Sequence, residues 1–263
     1  VYKRQSHILL GLLFWLSNFS VALAADKAKV TVYTDLVTDK GTITVGLNGD
    51  AAPVTVNNFL QYVNAGLYAG SIFHRLVPNF ALQGGGVNVY GKPISTFAPI
   101  ANEAGTSGLS NVAGTIAMAR TSDPNSATSQ FFFNLADNSS VLDYGSVNAP
   151  AGYAVFGSVV AGATVVANIA ALTPYNSSST PFPVTSTGQM VVVNGAYGYS
   201  LAEAAIPRLR ILITGNGTVR AQPGGVCNSG MCPYPVKAGQ KINLKAIPSS
   251  NSYFAGWSGD CVG

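Results

Sequence analysis

The 263 residues are 48% hydrophobic and only 9% charged, with a formal net charge of +4, enough chain for one sizeable core or for a domain of about 150 residues plus a smaller one. Between Val30 and Tyr197 the basic residues are Lys40, Arg75, Lys92 and Arg120, against Asp35, Asp39, Asp50, Glu103, Asp123, Asp137 and Asp143. That excludes the clustered basic face that nucleic-acid binding requires.

At the front, Lys3 and Arg4 precede an apolar stretch from Ile8 to Phe19, followed by the small residues of Ala22-Leu23-Ala24. The pattern predicts a secretory signal peptide over residues 1–24, cleaved after Ala24. The apolar stretch is shorter than the roughly twenty residues needed to cross a bilayer, so a leader is favoured over an uncleaved anchor, and no membrane association is expected once it is removed. Two runs follow, KVTVYTD and TITVGLN, which alternate at period two and read as strands joined by a hairpin at LVTDKG. In APVTVNNFLQYVNAG, Pro53 suits a first helical position, Val56, Phe59, Leu60 and Val63 form a helical stripe, and Gly66 ends it. Short β-type runs continue to GYAVFGSVV, a second helix is predicted from Gly162 to Ala171, and the loop TPYNSSSTPFPVTSTG leads to a last strand, QMVVVNGAY. Many short strands with two helices imply an antiparallel sheet, closed or nearly so, because closure removes exposed edges. Composition changes after Tyr197. A linker is expected over 198–208 and a small β module over 209–263, which holds all three cysteines.

One stretch raises a chemical question. IFHRLVPNFALQGGG, residues 72–86, sets His74 and Arg75 inside an apolar run that ends in three glycines. Burying an unpaired guanidinium costs several kcal/mol, so Arg75 needs partners, either structural or substrate.

Five blocks in order, FHRLVPNFALQGGG, NEAGTSGLSNVAGTIAMART, NSATSQFFFN, Leu142-Asp143 and GYAVFG, resemble the cyclophilins, peptidyl-prolyl cis/trans isomerases, and most of all their bacterial periplasmic branch. The resemblance covers residues 29–197, within a domain expected over 25–197, and implies a mainly β fold: a closed eight-stranded antiparallel β-barrel capped by two helices. It implies no cofactor and no metal, and proline-containing polypeptides as partners. Carried over residue by residue, it assigns catalysis to Arg75, Phe80, Gln83, Gln130 and Phe132, and substrate contacts to Ala81, Ala119, Arg120, Leu142 and Tyr153. Phe80, Phe132 and Leu142, with Ala81 where Met is common, would build a proline pocket. Gln83 and Gln130 would orient the arginine and the substrate backbone, and Ala119 and Arg120 would pair with the peptide through the main chain. Tyr153 stands where many eukaryotic members have His. His74 is expected to be a structural hydrogen-bonding residue, since the rotation needs no proton transfer. Three departures stand out. Ala81 predicts a looser pocket. Val141 lies near the position of a Trp found in cyclosporin-sensitive members, which predicts weak binding of that drug. Asn79 replaces a Gly, and Asn tolerates positive φ better than most residues.

The tail resembles secreted bacterial repeats related to the internalin B-repeat, through GNGTV, LKAIPSS and FAGWSGDC. Cys227 and Cys232, with four residues between them, could close a disulfide loop, and Cys261 has no evident partner, so the module is expected to be incomplete. Trp257 and Phe254 are read as its core. The resulting expectation is an exported isomerase, periplasmic or secreted, that assists folding, with a tail that binds a cell-surface or extracellular ligand. The competing expectation is a non-catalytic barrel that grips proline segments and attaches through its tail. An adhesin or glycan-binding role confined to residues 206 onward is a third. Loss of proline-peptide turnover on changing Arg75 separates the first two, and glycan retention by the tail marks the third.

Overall fold

A computed structural model describes residues 30–175, 181–205, 208–213, 216–222, 225–227, 230–237 and 240–256. The expected leader, Trp257 and Cys261 lie outside the described residues. The sheet begins with β1 (Val32–Thr38) and β2 (Gly41–Leu47), paired antiparallel with Thr38 opposite Gly41. The turn is therefore only Asp39 and Lys40. The longer connection read from LVTDKG is mostly strand, because Leu36 and Val37 are buried and extend the apolar alternation.

Helix α1 (Pro53–Asn64) follows with Pro at its first turn and buries Val56, Phe59 and Val63, as its stripe predicts. No side chain caps it from Ala52. Glu103 does that work from a distant loop, accepting hydrogen bonds from the Val54 and Thr55 amides at 3.1 and 2.7 Å and from the Thr55 hydroxyl. A carboxylate there satisfies the orphan N–H groups and complements the helix dipole.

The next strands are short: β3 (Ser71–Ile72), β4 (Arg75–Val77), β5 (Ala81–Gly84), β6 (Thr115–Met118) and β7 (Phe131–Asn134). A one-turn helix, α2 (Ser139–Leu142), precedes β8 (Val155–Ala161) and α3 (Ala163–Ala170). The segment expected to be a plain loop contains a small hairpin, β9 (Thr173–Tyr175) with β10 (Phe182–Val184), whose Tyr175 and Phe182 rings meet at 5.6 Å. That cross-strand ring pair supports the hairpin, and the Leu76 amide, donating to the Pro181 carbonyl at 2.7 Å, ties it to β4. β11 (Val192–Ser200) starts later than QMVVVNGAY suggests and runs past Tyr197 to Ser200, where α4 (Leu201–Ala204) begins in the stretch read as linker.

Nine strands form one curled sheet in the order β3-β11-β1-β2-β8-β6-β7-β5-β4. The expectation of eight strands with full closure is corrected in two respects: among the described residues there are nine, and no ladder joins the two outer strands, β3 and β4. These two are consecutive in the chain, separated by Phe73 and His74. The Phe73 amide donates to Val191 and the His74 amide to Gln83, at 3.1 and 3.0 Å. One short run thus touches both ends of the sheet, β3 on one side and β4 on the other. The interior is filled by Leu36, Ile43, Phe59, Tyr68, Phe73, Phe131, Phe133 and Phe156, with several rings edge to face.

Beyond α4 the described residues form two small antiparallel sheets. One pairs β12 (Arg208–Ile213) with β15 (Gly230–Pro235). The other orders β14 (Val226–Cys227), β13 (Gly217–Gln222) and β16 (Asn243–Pro248). Their own apolar cluster centres on Ile211, Val219, Ala221 and Cys227, and Cys227 is bonded to Cys232. Phe254 is partly exposed rather than buried core.

Candidate active site

Strand alternation explains why Phe131, Phe132 and Phe133 are all buried. Phe131 and Phe133 point into the barrel, whereas Phe132 points out and belongs to a second cluster with Ala81, Ala117, Leu142 and Val155. Period two puts Arg75 and Val77 on the opposite face from Leu76, and Ala81 and Gln83 on the opposite face from Leu82.

Register then aligns one row across five strands. Arg75 lies opposite Gln83, Gln83 opposite Phe132, Phe132 opposite Ala117, and Ala117 opposite Val155. At about 4.8 Å per strand, Arg75 and Phe132 are two spacings, roughly 10 Å, apart on the outer face. Phe80, Ala119, Val141 and Tyr153 pack partly buried against the same apolar cluster. Every residue singled out for the site is thus in this row, in this cluster or bonded to it.

Arg75 is half-buried. Among the described residues no carboxylate forms an ion pair with it and no side chain accepts a hydrogen bond from it. The structural-brace reading of this guanidinium therefore lacks a brace.

Beside it, Gln83 Nε2 donates to Gln130 Oε1 at 2.8 Å, and His74 Nε2 lies 3.2 Å from the same oxygen. An amide oxygen only accepts, so the His74 proton sits on Nε2. Burial, the largest cause, lowers the His74 pKa; the Gln130 hydrogen bond and the Ile72 carbonyl oppose the shift, and the Arg75 charge adds to it. His74 is neutral at physiological pH and acts as a fixed donor, the structural role expected of it. Of the three glycines, Gly86 makes room for this pair, while Gly84 and Gly85 clear Phe73, Tyr68, Phe131 and the Ser129 carbonyl. A Cβ on Gly86 would stand 2.7 Å from His74 Cε1 and 3.0 Å from Gln130 Cδ. Gly85, at φ +74°, would press a Cβ to 2.7 Å from the Ser129 carbonyl oxygen. Asn79 adopts φ 56° in the turn before β5, so the substituted position keeps its left-handed conformation.

The far side of the cluster is held by Tyr153, whose ring meets Phe132 edge to face at 5.8 Å, and by Arg120, whose guanidinium carbon lies 4.3 Å from the Tyr153 centroid. The Ala119 amide donates to the Gln130 carbonyl at 2.9 Å, so it is already committed within the protein.

Sequence reasoning missed the polar chain beside the apolar cluster. Asn138 Nδ2 donates to the Phe80 carbonyl and to Asn134 Oδ1, both at 2.8 Å. Asn134 donates to Asn111 and Thr115, and Asn111 reaches the carbonyls of Leu142 and Tyr153 and the Asp143 carboxylate. Three buried asparagines thereby fix the backbone of Phe80, Leu142 and Tyr153, three walls of the cluster. A signal existed: in FFFN, Asn134 shares the parity of Phe132, which puts it on the outer face with the site.

Comparison with known proteins gives the following. The family described as "Cyclophilin type peptidyl-prolyl cis-trans isomerase/CLD" matches residues 33–189. Peptidyl-prolyl cis-trans isomerase A of Dickeya dadantii is 49% identical over 154 residues, covering 59% of this chain and 77% of that protein. A peptidyl-prolyl cis-trans isomerase of Acinetobacter baylyi is 47% identical over 148 residues, 56% of this chain and 77% of its own. Among solved structures, a cyclophilin-type peptidyl-prolyl cis-trans isomerase of Cryptosporidium parvum, determined in the presence of the dipeptide Ala-Pro, aligns with 64% of this chain and 99% of its own at TM-score 0.47 and 22% identity.

Proposed function

The chain belongs to the cyclophilin-type peptidyl-prolyl cis-trans isomerases, and from that membership we propose that the row Arg75, Gln83, Phe132 is where it catalyses rotation about X–Pro bonds, in proteins exported from the cell. The observation that carries this reading is a half-buried guanidinium with no carboxylate partner among the described residues, in register with an outward-facing phenylalanine on an apolar cluster.

The chemistry follows from the amide. Delocalisation of the nitrogen lone pair leaves a barrier of about 18–20 kcal/mol and exchange over tens to hundreds of seconds. In the twisted state the lone pair localises on nitrogen, so a donor aimed there favours that state over either planar form. Arg75 supplies a permanently charged fork, one N–H for the prolyl nitrogen and others for neighbouring backbone. Gln83, held through Gln130, limits where that fork can point. Phe80, Phe132, Leu142 and Ala81 receive the pyrrolidine ring and exclude water. A five-decade acceleration requires about 7 kcal/mol, more than one charge-assisted bond supplies, so the dry wall contributes as well. With the Ala119 amide committed to Gln130, main-chain pairing with a peptide falls to the Ala119 carbonyl and the Arg120 amide.

Arg75→Ala in the full chain should lower kcat/KM for a proline tetrapeptide by about two to three decades, the scale of losing one transition-state donor. Arg75→Lys should recover little, because an ammonium lacks the fork. Equal rates for wild type and Arg75→Ala, by NMR exchange or a protease-coupled assay, would overturn the assignment and favour a barrel that only grips proline segments.

Export is supported by the leader pattern over residues 1–24, and among the described residues no helix is long and apolar enough to cross a membrane. The corresponding role is assistance to the folding of periplasmic or secreted proteins. N-terminal sequencing of the chain recovered outside the cytoplasm should begin at Ala25; a retained leader would contradict export by this route. The β strands after α4 we assign to a module of the internalin B-repeat kind, which localises the isomerase or engages an extracellular ligand.

A further inference from the structure

Two guanidiniums bracket the apolar cluster around Phe132. Arg75 stands two strands from Phe132 on one side. On the other, Phe132 meets Tyr153 at 5.8 Å and Tyr153 carries Arg120 at 4.3 Å. Arg120 is held by neutral groups alone: Nε donates to the Gly152 carbonyl at 3.0 Å and Nη1 to the Thr121 carbonyl at 2.9 Å. These bonds and the ring beneath fix where its charge sits without cancelling it.

The nearby acids are turned elsewhere. Asp143 accepts from Ser110 and Asn111, Asp123 from the Asn125 amide, Asp137 from Ser139, and Glu103 from the start of α1. None ion-pairs with Arg75 or Arg120 among the described residues. Yet acids outnumber bases between Val30 and Tyr197, so two of the four cations in this region gather at one cleft while no carboxylate answers them. Arg75 has work at the rotating amide; Arg120 does not touch it.

We propose that the site prefers proline segments carrying an acidic side chain next to the proline, and that Arg120 receives that carboxylate. This deepens the isomerase assignment above and rests on it. Proline seats on Phe132, so a residue flanking it falls within the reach of a guanidinium already placed over Tyr153. A lysine or arginine at that position meets like charge and is disfavoured.

The test is NMR exchange on the full chain with blocked peptides that place Glu, Gln or Lys immediately before or immediately after a single proline. Glu should give kcat/KM about three- to fivefold above Gln in at least one of the two positions, the range of one solvent-exposed ion pair, with Lys below Gln. The advantage should shrink at about 0.5 M salt. Arg120→Gln should reduce the Glu-to-Gln ratio to one, and Arg120→Lys should restore part of it. Turnover with equal rates for Glu and Gln in both positions overturns the preference and leaves the isomerase assignment standing. A ratio that survives Arg120→Gln overturns the role of Arg120. Absence of turnover on every peptide instead overturns the isomerase assignment on which the preference rests.

Discussion

His74 shows how one buried group ties stability to pH. Its pKa is lowered in the folded protein from the ordinary 6.5, chiefly by burial. The unfolded chain therefore takes up a proton first as pH falls. Stability from the neutral imidazole is fully present above about pH 6.5 and is lost as pH drops through the lowered folded value. Protonation would also put a charge beside Arg75. Thermal melts at about pH 7.5 and 5.5 should show a larger acid-side fall for the wild type than for His74→Gln, whose side chain has nothing to titrate. An equal fall in both would remove His74 from the acid transition. The same residue explains Gly86: the imidazole and the Gln130 amide occupy the space a Cβ would take.

Elements act on the pocket through their ends rather than their middles. The one-turn helix α2 contributes Leu142 to the cluster, and the residue before it, Asn138, ties the Phe80 carbonyl to Asn134. Asn138→Ala would leave Asn134 Oδ1 without that donor in a dry setting, while the Phe80 carbonyl keeps the Leu135 amide. The expected cost is about 1–3 kcal/mol of stability. Because the walls move while Arg75 stays, KM should rise more than kcat falls. A matched loss in kcat with unchanged KM would place Asn138 outside the positioning of the pocket, and Asn138→Asp, which keeps the shape but not the donor, separates packing from hydrogen bonding.

At the scale of the molecule, the row from Arg75 to Val155 and the disulfide-bearing strands belong to different sheets with different apolar clusters. Opening the short loop between Cys227 and Cys232 should weaken the C-terminal strands by about 2 kcal/mol on chain-entropy grounds. Isomerase turnover should not change, because Cys227 and Cys232 belong to a different apolar cluster from the row. Parallel turnover and melting measurements with and without reductant check this, and a loss of turnover on reduction would show that the C-terminal strands support the pocket.

Local pattern alone specified much of this protein. The Pro53 start and apolar stripe of α1, the helix after Gly162, the alternation of β1 and β2, and the ordered blocks from Phe73 to Gly157 need only residue identity and spacing, because helix and strand periods act within a few neighbours. What tertiary structure decided depends on residues far apart in sequence. FFFN reads as a buried run, and only pairing with β5 and β6 reveals that its middle phenylalanine faces outward, into line with Arg75. Glu103 caps a helix that starts 50 residues earlier, and three asparagines from two separate segments join beneath the pocket. Register converts period-two patterns into a common face, and no single strand encodes its partner's register. The need of Arg75 for a partner was therefore legible in the chain, whereas the absence of a carboxylate beside it among the described residues emerged only when the strands were brought together.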